Sequence, residues 1–258
     1  MVDDLTETSH WVHEAQLVGA VEFVSSSPQK ACQHVIALAA EGKGRHVHLA
    51  NAYTIALADK NENFRRMLMS PALNFPDGKP IGWVSALRRQ SPRLQQVRGP
   101  QLFLDVFDQG RDHGIRHFLL GSTPEVLETL ELRLRTRFPG ASIVGVESPP
   151  FRQLSLAEIE EQDERIHASG ANIVWVGLGT PKQDHEAQRL SNSLPVVAVA
   201  VGAAFDFAAG TIAQAPSWMM KAGLEWLYRF LREPRRLWRR YIFGNVRFLK
   251  ASFLPRRP

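Results

Sequence analysis

The chain has 258 residues, of which 44% are hydrophobic and 22% charged, a composition that excludes an intrinsically disordered protein. The N-terminal residues are acidic and polar without a secretory h-region, and no apolar run reaches the ~20 residues of a membrane-spanning helix. The single cysteine, Cys32, excludes an intrachain disulfide, lies in an apolar pattern typical of a buried thiol, and fits a reducing cytoplasm.

Short β-branched segments alternate with longer amphipathic segments over most of the chain. The predicted strands cover residues 16–24, 46–51, 72–75, 116–121, 141–146, 172–179 and 195–202. The predicted helices cover residues 28–42, 52–69, 80–89, 100–113, 124–138, 155–170 and 181–191. Because the late strands are continuously apolar, we expect an α/β fold with a Rossmann-like parallel sheet and helices on both faces.

The alternation stops after Ala203, where residues 203–216 are interpreted as a loop or a short helix, with a domain boundary at Pro216. The remaining chain predicts two or three helices, interrupted at Gly223, Pro234 and Gly244. We therefore expect three parts: an N-terminal extension (1–15), a Rossmann-like domain (16–215) and a basic, aromatic helical appendage (216–258).

The charge is unevenly distributed. Residues 218–258 carry eleven Lys or Arg and two Asp or Glu, a net charge of +9 against +5 for the whole chain, so residues 1–217 are mildly acidic. Arg229, Arg232 and Arg236 would share one helical face if Pro234 only kinks the helix. Aromatic residues between the arginines favour an anionic partner over a solvated face, and nucleic acid, lipid head groups and a phosphorylated substrate remain open.

The segment Pro76-Asp77-Gly78 follows the predicted strand 72–75. On its own, Pro-Asp-Gly is typical of a tight turn. Ligands of open parallel sheets bind beyond the carboxyl ends of the strands, so this position also makes Asp77 a candidate carboxylate of a ligand site.

Two glycine-containing loops follow strands and precede helices, at Gly121-Ser122 and at Gly179 to Lys182. Backbone N–H groups at such helix starts can bind phosphate, although glycine also serves simple turning. Neither loop is a dinucleotide fingerprint or a P-loop, which argues against a Rossmann oxidoreductase.

A metal site is not expected. The chain has no Asp-X-Asp motif, and His185-Glu186 does not continue as HExxH. His46 and His48 are predicted to lie on one side of a strand. Asp184 is interpreted as able only to cap a helix start, and Asp206 as a binding or structural carboxylate.

The motifs together resemble the WecG/TagA/CpsF glycosyltransferase family over roughly residues 16–250. The matching segments, in chain order, are NAYT, FPDGKP, VRGPQL, LGSTPE, GLGTPKQD, VGAAFDFAAG and APSWMMKAGLEWLYRFLREPRRLWRRY. The resemblance implies an inverting, metal-independent hexosyltransferase or N-acetylhexosaminyltransferase without a cofactor. It also implies a UDP-sugar donor and a saccharide acceptor on undecaprenyl diphosphate, and the PDGxP variant is most similar to the exopolysaccharide branch.

The same resemblance implies roles for individual residues. Asp77 corresponds to the proposed general base and Gln183 to a family active-site residue. The resemblance also implies substrate contacts by Asn51, Arg229, Arg236 and Arg239. The positions of further residues, in the strand-end loops and next to the glycine of VRGP, complete the expected substrate-binding set: Arg98, Gly121, Ser122, Gly179, Lys182 and Asp206. Two positions depart from many members: Leu49 replaces a threonine, and Gln96 replaces an arginine, with Arg98 next to the glycine instead.

The expected partners are a UDP-sugar, a polyprenyl-diphosphate-linked saccharide and the inner face of the cytoplasmic membrane, to which the protein would bind peripherally. A homo-oligomer is possible, and nucleic acid is not an expected partner. The alternative is a nucleotide-binding regulator whose basic tail binds nucleic acid, which a steep salt dependence of DNA or RNA binding would reveal.

Overall fold

The computed structural model describes residues 14–69 and 71–254, except for the side chains of Arg236, Arg239 and Arg240. Residues 1–13 of the predicted N-terminal extension therefore lie outside the described residues. The strands are β1 (Ala15–Val18), β2 (Val21–Val24), β3 (Arg45–Ala50), β4 (Leu73–Pro76), β5 (Arg116–Gly121), β6 (Ser142–Glu147), β7 (Ile173–Gly177) and β8 (Val197–Ala200).

The helices alternate with these strands up to β8 and then follow one another. They are α1 (Pro28–Glu41), α2 (Ala52–Lys60), α3 (Glu62–Met69), α4 (Lys79–Leu87), α5 (Gly99–Gln109), α6 (Pro124–Arg137), α7 (Leu156–Ala168), α8 (Lys182–Ser193), α9 (Ala204–Ala209), α10 (Ser217–Ala222), α11 (Glu225–Arg232) and α12 (Pro234–Phe253). A short 3-10 helix, Gly110–His113, follows α5.

Six strands form one parallel sheet in the order β4-β3-β8-β7-β5-β6. Side chains along β7 alternate between two cores. Ile173 and Trp175 pack with residues of α1, α5, α6 and α9, whereas Val174 and Val176 pack with residues of α7 and α8. This burial of both faces explains the continuously apolar strands and confirms the predicted α/β fold with helices on both faces.

The prediction of a single strand over residues 16–24 is wrong. Residues 15–24 instead form an antiparallel hairpin, β1–β2, outside the main sheet. Gly19 turns the chain with φ of 63°, and a Cβ there would lie 2.7 Å from Ile55 Cγ2. A tight turn packed against α2 therefore replaces a continuous strand.

The predicted helix 52–69 is divided at Asn61 into α2 and α3. The Asn61 backbone is extended, with φ of −123° and ψ of 112°. Its Oδ1 accepts a hydrogen bond from Phe64 N–H at 3.1 Å, so the side chain begins a new helix where the hydrophobic pattern continues unbroken.

The appendage consists of three helices, α10 to α12. Gly223 ends α10 in a left-handed conformation, with φ of 76°, as predicted for a break. Glu233 separates α11 from α12 with a non-helical φ of −136° and ψ of 58°, and Pro234 begins α12 rather than kinking one helix. Arg229 and Arg232 therefore lie on α11 and Arg236 on α12. The predicted interruption at Pro234 is thus confirmed, and the condition under which these three arginines would share one helical face is not met.

Gly244 does not interrupt α12, which is also contrary to prediction. A Cβ at Gly244 would lie 3.4 Å from Tyr53 Cδ2, so the absence of a side chain permits close packing of α12 against α2. Phe248 and Ala251 of α12 are buried in the same core cluster as Ile55 of α2. Burial of these apolar side chains thus stabilises the packing of the C-terminal half of α12 against the Rossmann-like domain.

Candidate active site at the carboxyl edge of the sheet

The carboxyl ends of all six parallel strands meet at one edge of the sheet. The chain leaves β5 toward α6, which packs on one face, and leaves β7 toward α8, which packs on the other. At this point a Cβ on Gly121 would lie 2.7 Å from the carbonyl of Gly177. Adjacent strands that diverge to opposite faces open a crevice, which is the usual ligand site of such sheets.

Asp77 lies immediately beyond the end of β4, at the edge of the sheet. Its N–H donates to the Ala50 carbonyl at 2.7 Å and so continues the β3–β4 hydrogen bonding. Its Oδ1 accepts a hydrogen bond from Gly99 N–H, the first residue of α5, at 3.4 Å. Gly78 follows with φ of 126°, a conformation that favours glycine and turns the chain into α4.

The surroundings of Asp77 raise the pKa of its carboxyl group. The side chain is partly buried, and burial, followed by the charge of Glu225, raises the pKa of Asp77 to about 7. The Gly99 N–H and the charges of Arg98 and Arg229 act in the opposite direction. A carboxylate with a pKa near neutrality is suited to accept a proton from a substrate hydroxyl.

Arg98, directly before Gly99, is paired with the appendage. Its Nη2 donates to Glu225 Oε1 at 3.0 Å and its Nε to Oε2 at 3.3 Å. The two side chains are 21% and 25% exposed, so this bidentate pair is partly shielded from water. It connects the start of α5 with the start of α11.

Two further contacts hold the C-terminal end of α10 against α4. Lys79 Nζ donates to the Lys221 carbonyl at 2.5 Å, and a Cβ on Gly223 would lie 2.7 Å from Trp83 Cζ2. The appendage therefore forms a wall of the site next to Asp77.

Arg229 extends this wall toward α9. Its guanidinium carbon lies 5.7 Å from the centre of the Phe207 ring. Its Nε is buried, and no described residue accepts a hydrogen bond from it. A buried guanidinium N–H of this kind is a donor suited to an anionic ligand. The side chains of Arg236 and Arg239 lie outside the described residues.

Asn51 follows β3, between Asp77 and the end of β8. Its Oδ1 accepts hydrogen bonds from Tyr53 N–H at 3.0 Å and Thr54 N–H at 3.4 Å, and Thr54 Oγ1 accepts from Asn51 N–H at 3.1 Å. This capping box gives Asn51 a defined structural role at the start of α2. Its contact with substrate stays a prediction.

The two unusual residues lie near Arg98. Leu49 is buried, and its Cγ would be 3.5 Å from a Cβ on Gly99, so this residue packs beneath the start of α5. Gln96 lines a small cleft of about 120 Å³, together with Arg98, Gln101 and Asp105.

Gln183 braces the loop between β7 and α8. Its Oε1 accepts from Gly179 N–H at 2.9 Å, and its Nε2 donates to Thr180 Oγ1 at 3.4 Å. The side chain is 4% exposed, and both of its polar atoms would be 3.6 Å from a Cβ on Gly202, at the end of β8. Gln183 thus fixes the loop that contains the exposed Gly179, while its catalytic role and substrate binding by Lys182 stay predictions.

The loop after β5 is fixed by its backbone and its neighbours. Ser122 has φ of 64°, and its carbonyl accepts from Ser148 Oγ at 2.7 Å. Thr123 caps α6 by accepting from Val126 N–H at 3.4 Å. Four strand spacings of ~4.8 Å separate β5 from β4, so the Gly121-Ser122 loop and Asp77 stand roughly 19 Å apart along the sheet edge.

Asp206 lies in the first turn of α9, after β8. It is partly buried, and its Oδ1 accepts a hydrogen bond from Thr211 Oγ1 at 3.5 Å. The side chain therefore stabilises the loop after α9, and its contact with substrate stays a prediction.

A buried polar chain behind the site was missed by sequence reasoning. Asp184 Oδ1 is hydrogen-bonded to His48 Nδ1 at 2.9 Å, and His48 Nε2 to His46 Nδ1 at 2.8 Å. The helix-capping interpretation of Asp184 is wrong, because its side chain pairs with His48 and Pro181 stands at the cap position of α8. The two histidines do share one side of β3, as their spacing predicted.

Neither Glu225 nor Asp184 was assigned its role from the sequence. The sequence offered one signal for Glu225, which is one of only two acidic residues in the strongly basic segment 218–258. In the part of the chain that the structure describes, no three His, Cys, Asp or Glu side chains are grouped to hold a metal ion.

A parallel sheet with a carboxylate of raised pKa, glycine loops and arginines at its carboxyl edge defines an α/β protein with a candidate ligand site at that edge. The model of the glycosyl transferase WecG/TagA/CpsF family matches residues 16–257, nearly the whole chain, so the protein belongs to this family. It is accordingly a glycosyltransferase.

Proposed function

We propose that the protein is an inverting glycosyltransferase that moves a sugar from a UDP-sugar to a hydroxyl of a polyprenyl-diphosphate-linked saccharide. The observation that carries this proposal is Asp77, a carboxylate at the end of β4 whose pKa is raised to about 7 and which is accompanied by Arg98 and Arg229. In one displacement the acceptor oxygen bonds to the anomeric carbon while the bond to UDP breaks. The hydroxyl proton passes to Asp77, and the electron pair leaves with the UDP phosphate.

The geometry of the edge supports a particular path for the donor. If the nucleotide binds at the crevice between β5 and β7, it must cross the ends of β8 and β3 to reach Asp77 beyond β4. Asn51 and Gln183 lie after β3 and β7 on that path. We therefore propose that the donor lies along the sheet edge with its sugar toward Asp77.

The charge of the leaving diphosphate needs a positive partner. Arg229 supports this role because its buried Nε has no described acceptor and its charge acts on Asp77. Arg236 and Arg239 belong to the same proposal on the family resemblance alone. Transfer without a metal or a cofactor stays part of the proposal.

The surface of α12 supports a lipid-linked acceptor. Trp238, Ile242, Val246, Leu249 and Phe253 follow one another at helical spacing and are 41%, 53%, 66%, 54% and 47% exposed. We call these five residues the α12 stripe. An apolar stripe on a helix rich in arginine is typical of binding in the plane of an anionic membrane surface. No helix among the described residues is long and apolar enough to span a bilayer.

We accordingly propose peripheral binding at the cytoplasmic face of the membrane, where a polyprenyl-linked acceptor would be presented. Synthesis of an exopolysaccharide and a hexosyl or N-acetylhexosaminyl donor follow from the resemblance of the PDGxP segment. Within the described residues no observation favours the alternative of a regulator that binds nucleic acid through its basic tail.

The test is a screen of UDP-sugars by thermal shift, followed by transfer from the stabilising donors to a short lipid-diphosphate disaccharide. The expected result is a single glycosylated product whose anomeric configuration is opposite to that of the donor, as determined by NMR. Retained configuration, or transfer from no UDP-sugar in the screen, would contradict the proposal.

A further inference from the structure

Glu225 occupies an unusual position between the appendage and the candidate base. It begins α11, and its two carboxylate oxygens accept the Nε and Nη2 hydrogen bonds of Arg98, which lies 127 positions earlier in the chain. Arg98 in turn precedes Gly99, whose N–H donates to Asp77. Arg98 is therefore next in sequence to the residue that contacts Asp77, but its guanidinium is paired with Glu225.

An Arg98 guanidinium without Glu225 would have Asp77 as a neighbouring carboxylate. Both side chains are close enough for the charge of Arg98 to lower the pKa of Asp77. A carboxylate that accepts hydrogen bonds from a guanidinium is a weaker base than one that does not. The partner of Arg98 therefore decides how strongly Asp77 can attract a proton.

We propose that Glu225 is a positioning residue for the transfer reaction, because it holds the Arg98 guanidinium in a bidentate pair and keeps Asp77 available to accept the proton of the acceptor hydroxyl. This inference rests on the proposed function of Asp77 as general base. It also makes the activity depend on docking of α11, since Glu225 reaches Arg98 only when the appendage is in place.

The other charged groups around Asp77 do not replace Glu225. Arg229 of α11 acts on Asp77 in the same direction as Arg98. Lys79 of α4 donates to the Lys221 carbonyl at 2.5 Å. Glu225 is the acid among the groups that shift the pKa of Asp77, and its charge raises that pKa. Loss of its charge should thus shift the acid limb of the pH–rate profile to lower pH.

The test compares Glu225→Gln, which keeps the shape but loses the charge, with the wild-type protein in the transfer assay. We expect kcat to fall about tenfold while KM for the donor changes less than about threefold. The acid limb of kcat against pH should move down by at least about half a pH unit. Glu225→Asp keeps the charge and should retain the wild-type limb.

The matched control is Asp59→Asn, which removes a second ion pair between appendage and body, Arg247 Nε to Asp59 Oδ2 at 2.8 Å. It should leave the acid limb where it is in the wild type. An unmoved limb in Glu225→Gln, or equal losses of kcat in Glu225→Gln and Asp59→Asn, would overturn the positioning role. Thermal melting of each variant shows whether it is folded. If Glu225→Gln does not fold, the acid limb of Glu225→Asp is compared with the wild type, and a displaced limb would overturn the proposal.

Asp77→Asn, assayed in parallel, separates the two proposals. If Asp77→Asn retains transfer, Asp77 is not the base, and the role of Glu225 fails with it. If Asp77→Asn abolishes transfer and Glu225→Gln leaves the acid limb unmoved, only the role of Glu225 is overturned.

Discussion

Oδ1 of Asp77 accepts a hydrogen bond from Gly99 N–H at 3.4 Å, so the candidate base is held at the first residue of α5. The backbone N–H of the same residue donates to the Ala50 carbonyl and so continues the β3–β4 hydrogen bonding. Its position is therefore set by two elements that are themselves buried in the core. A side chain placed in this way can act on a bound substrate without a prior rearrangement of the backbone.

Ionised Asp77 should be costly for stability at neutral and alkaline pH. Its folded pKa of about 7 lies above the ordinary value, so the folded state binds the proton more tightly than the unfolded state. The favourable contribution is present at low pH and is lost as the pH rises toward about 7. Asp77→Asn should therefore increase the free energy of unfolding by roughly 1–2 kcal/mol at about pH 8 and by little at about pH 4. Solvent screening of the partly exposed carboxylate keeps the gain at about pH 8 below the full value that the pKa shift implies.

Urea unfolding of both proteins at the two pH values measures this difference. Asp112→Asn, at an exposed position after α5, is the control and should change neither value. Equal stability changes for Asp77→Asn at both pH values would show that burial does not raise the pKa of Asp77.

Gln183→Ala should loosen the loop after β7, because Gly179 N–H and Thr180 Oγ1 lose their partner. We expect KM for the donor to rise about tenfold, with a smaller change in kcat. Gln183→Glu can still accept from Gly179 N–H and should lie between the wild type and the alanine variant. Steady-state kinetics would contradict the loop-bracing role if both variants kept the wild-type KM.

Asp184→Ala should destabilise the fold, because it leaves the buried His48 Nδ1 without its hydrogen-bond partner. An unsatisfied buried polar group costs about 1–3 kcal/mol, so the free energy of unfolding should fall by that amount. Glu160→Ala, at an exposed position on α7, is the control. A loss no larger than that of Glu160→Ala would show that the Asp184–His48 contact contributes nothing to stability.

The α12 stripe should bind anionic vesicles. Val246→Glu and Leu249→Glu place charges at positions that are 66% and 54% exposed, so they should reduce vesicle binding about tenfold each without unfolding the protein. Leu132→Glu on α6, at a position 68% exposed but on the body, is the matched control and should bind as the wild type does. Co-sedimentation with vesicles measures this, and unchanged binding of both stripe variants would place any membrane contact elsewhere.

The local patterns predicted the main sheet well. Strands buried on both faces are continuous apolar segments, whereas the helices show a period near 3.6 residues and begin at capping residues. Asp77 was predicted at the edge because Pro-Asp-Gly directly follows a strand, a position that suits both a turn and a ligand site. The interruption at Pro234 was predicted because proline cannot continue a helix, and α12 begins there. The break at Asn61 was missed, since it depends on one residue within a continuous amphipathic pattern.

Long-range contacts were beyond the reach of such patterns. The pair Arg98–Glu225 joins residues 127 positions apart, and the pair His48–Asp184 joins residues 136 positions apart. Neither pair has a local spacing that predicts it, because each arises only when the sheet and the appendage are assembled. The environment that raises the pKa of Asp77 therefore depends on the tertiary structure.

Single-turnover transfer by Asp77→Asn, with donor binding measured on the same preparation, tests the proposed general base most directly. Asparagine keeps the shape of the side chain but cannot accept the proton, so transfer should fall at least about 10³-fold while the Kd for the UDP-sugar stays within about threefold. Transfer within about tenfold of the wild-type rate would contradict the assignment of Asp77 as the base.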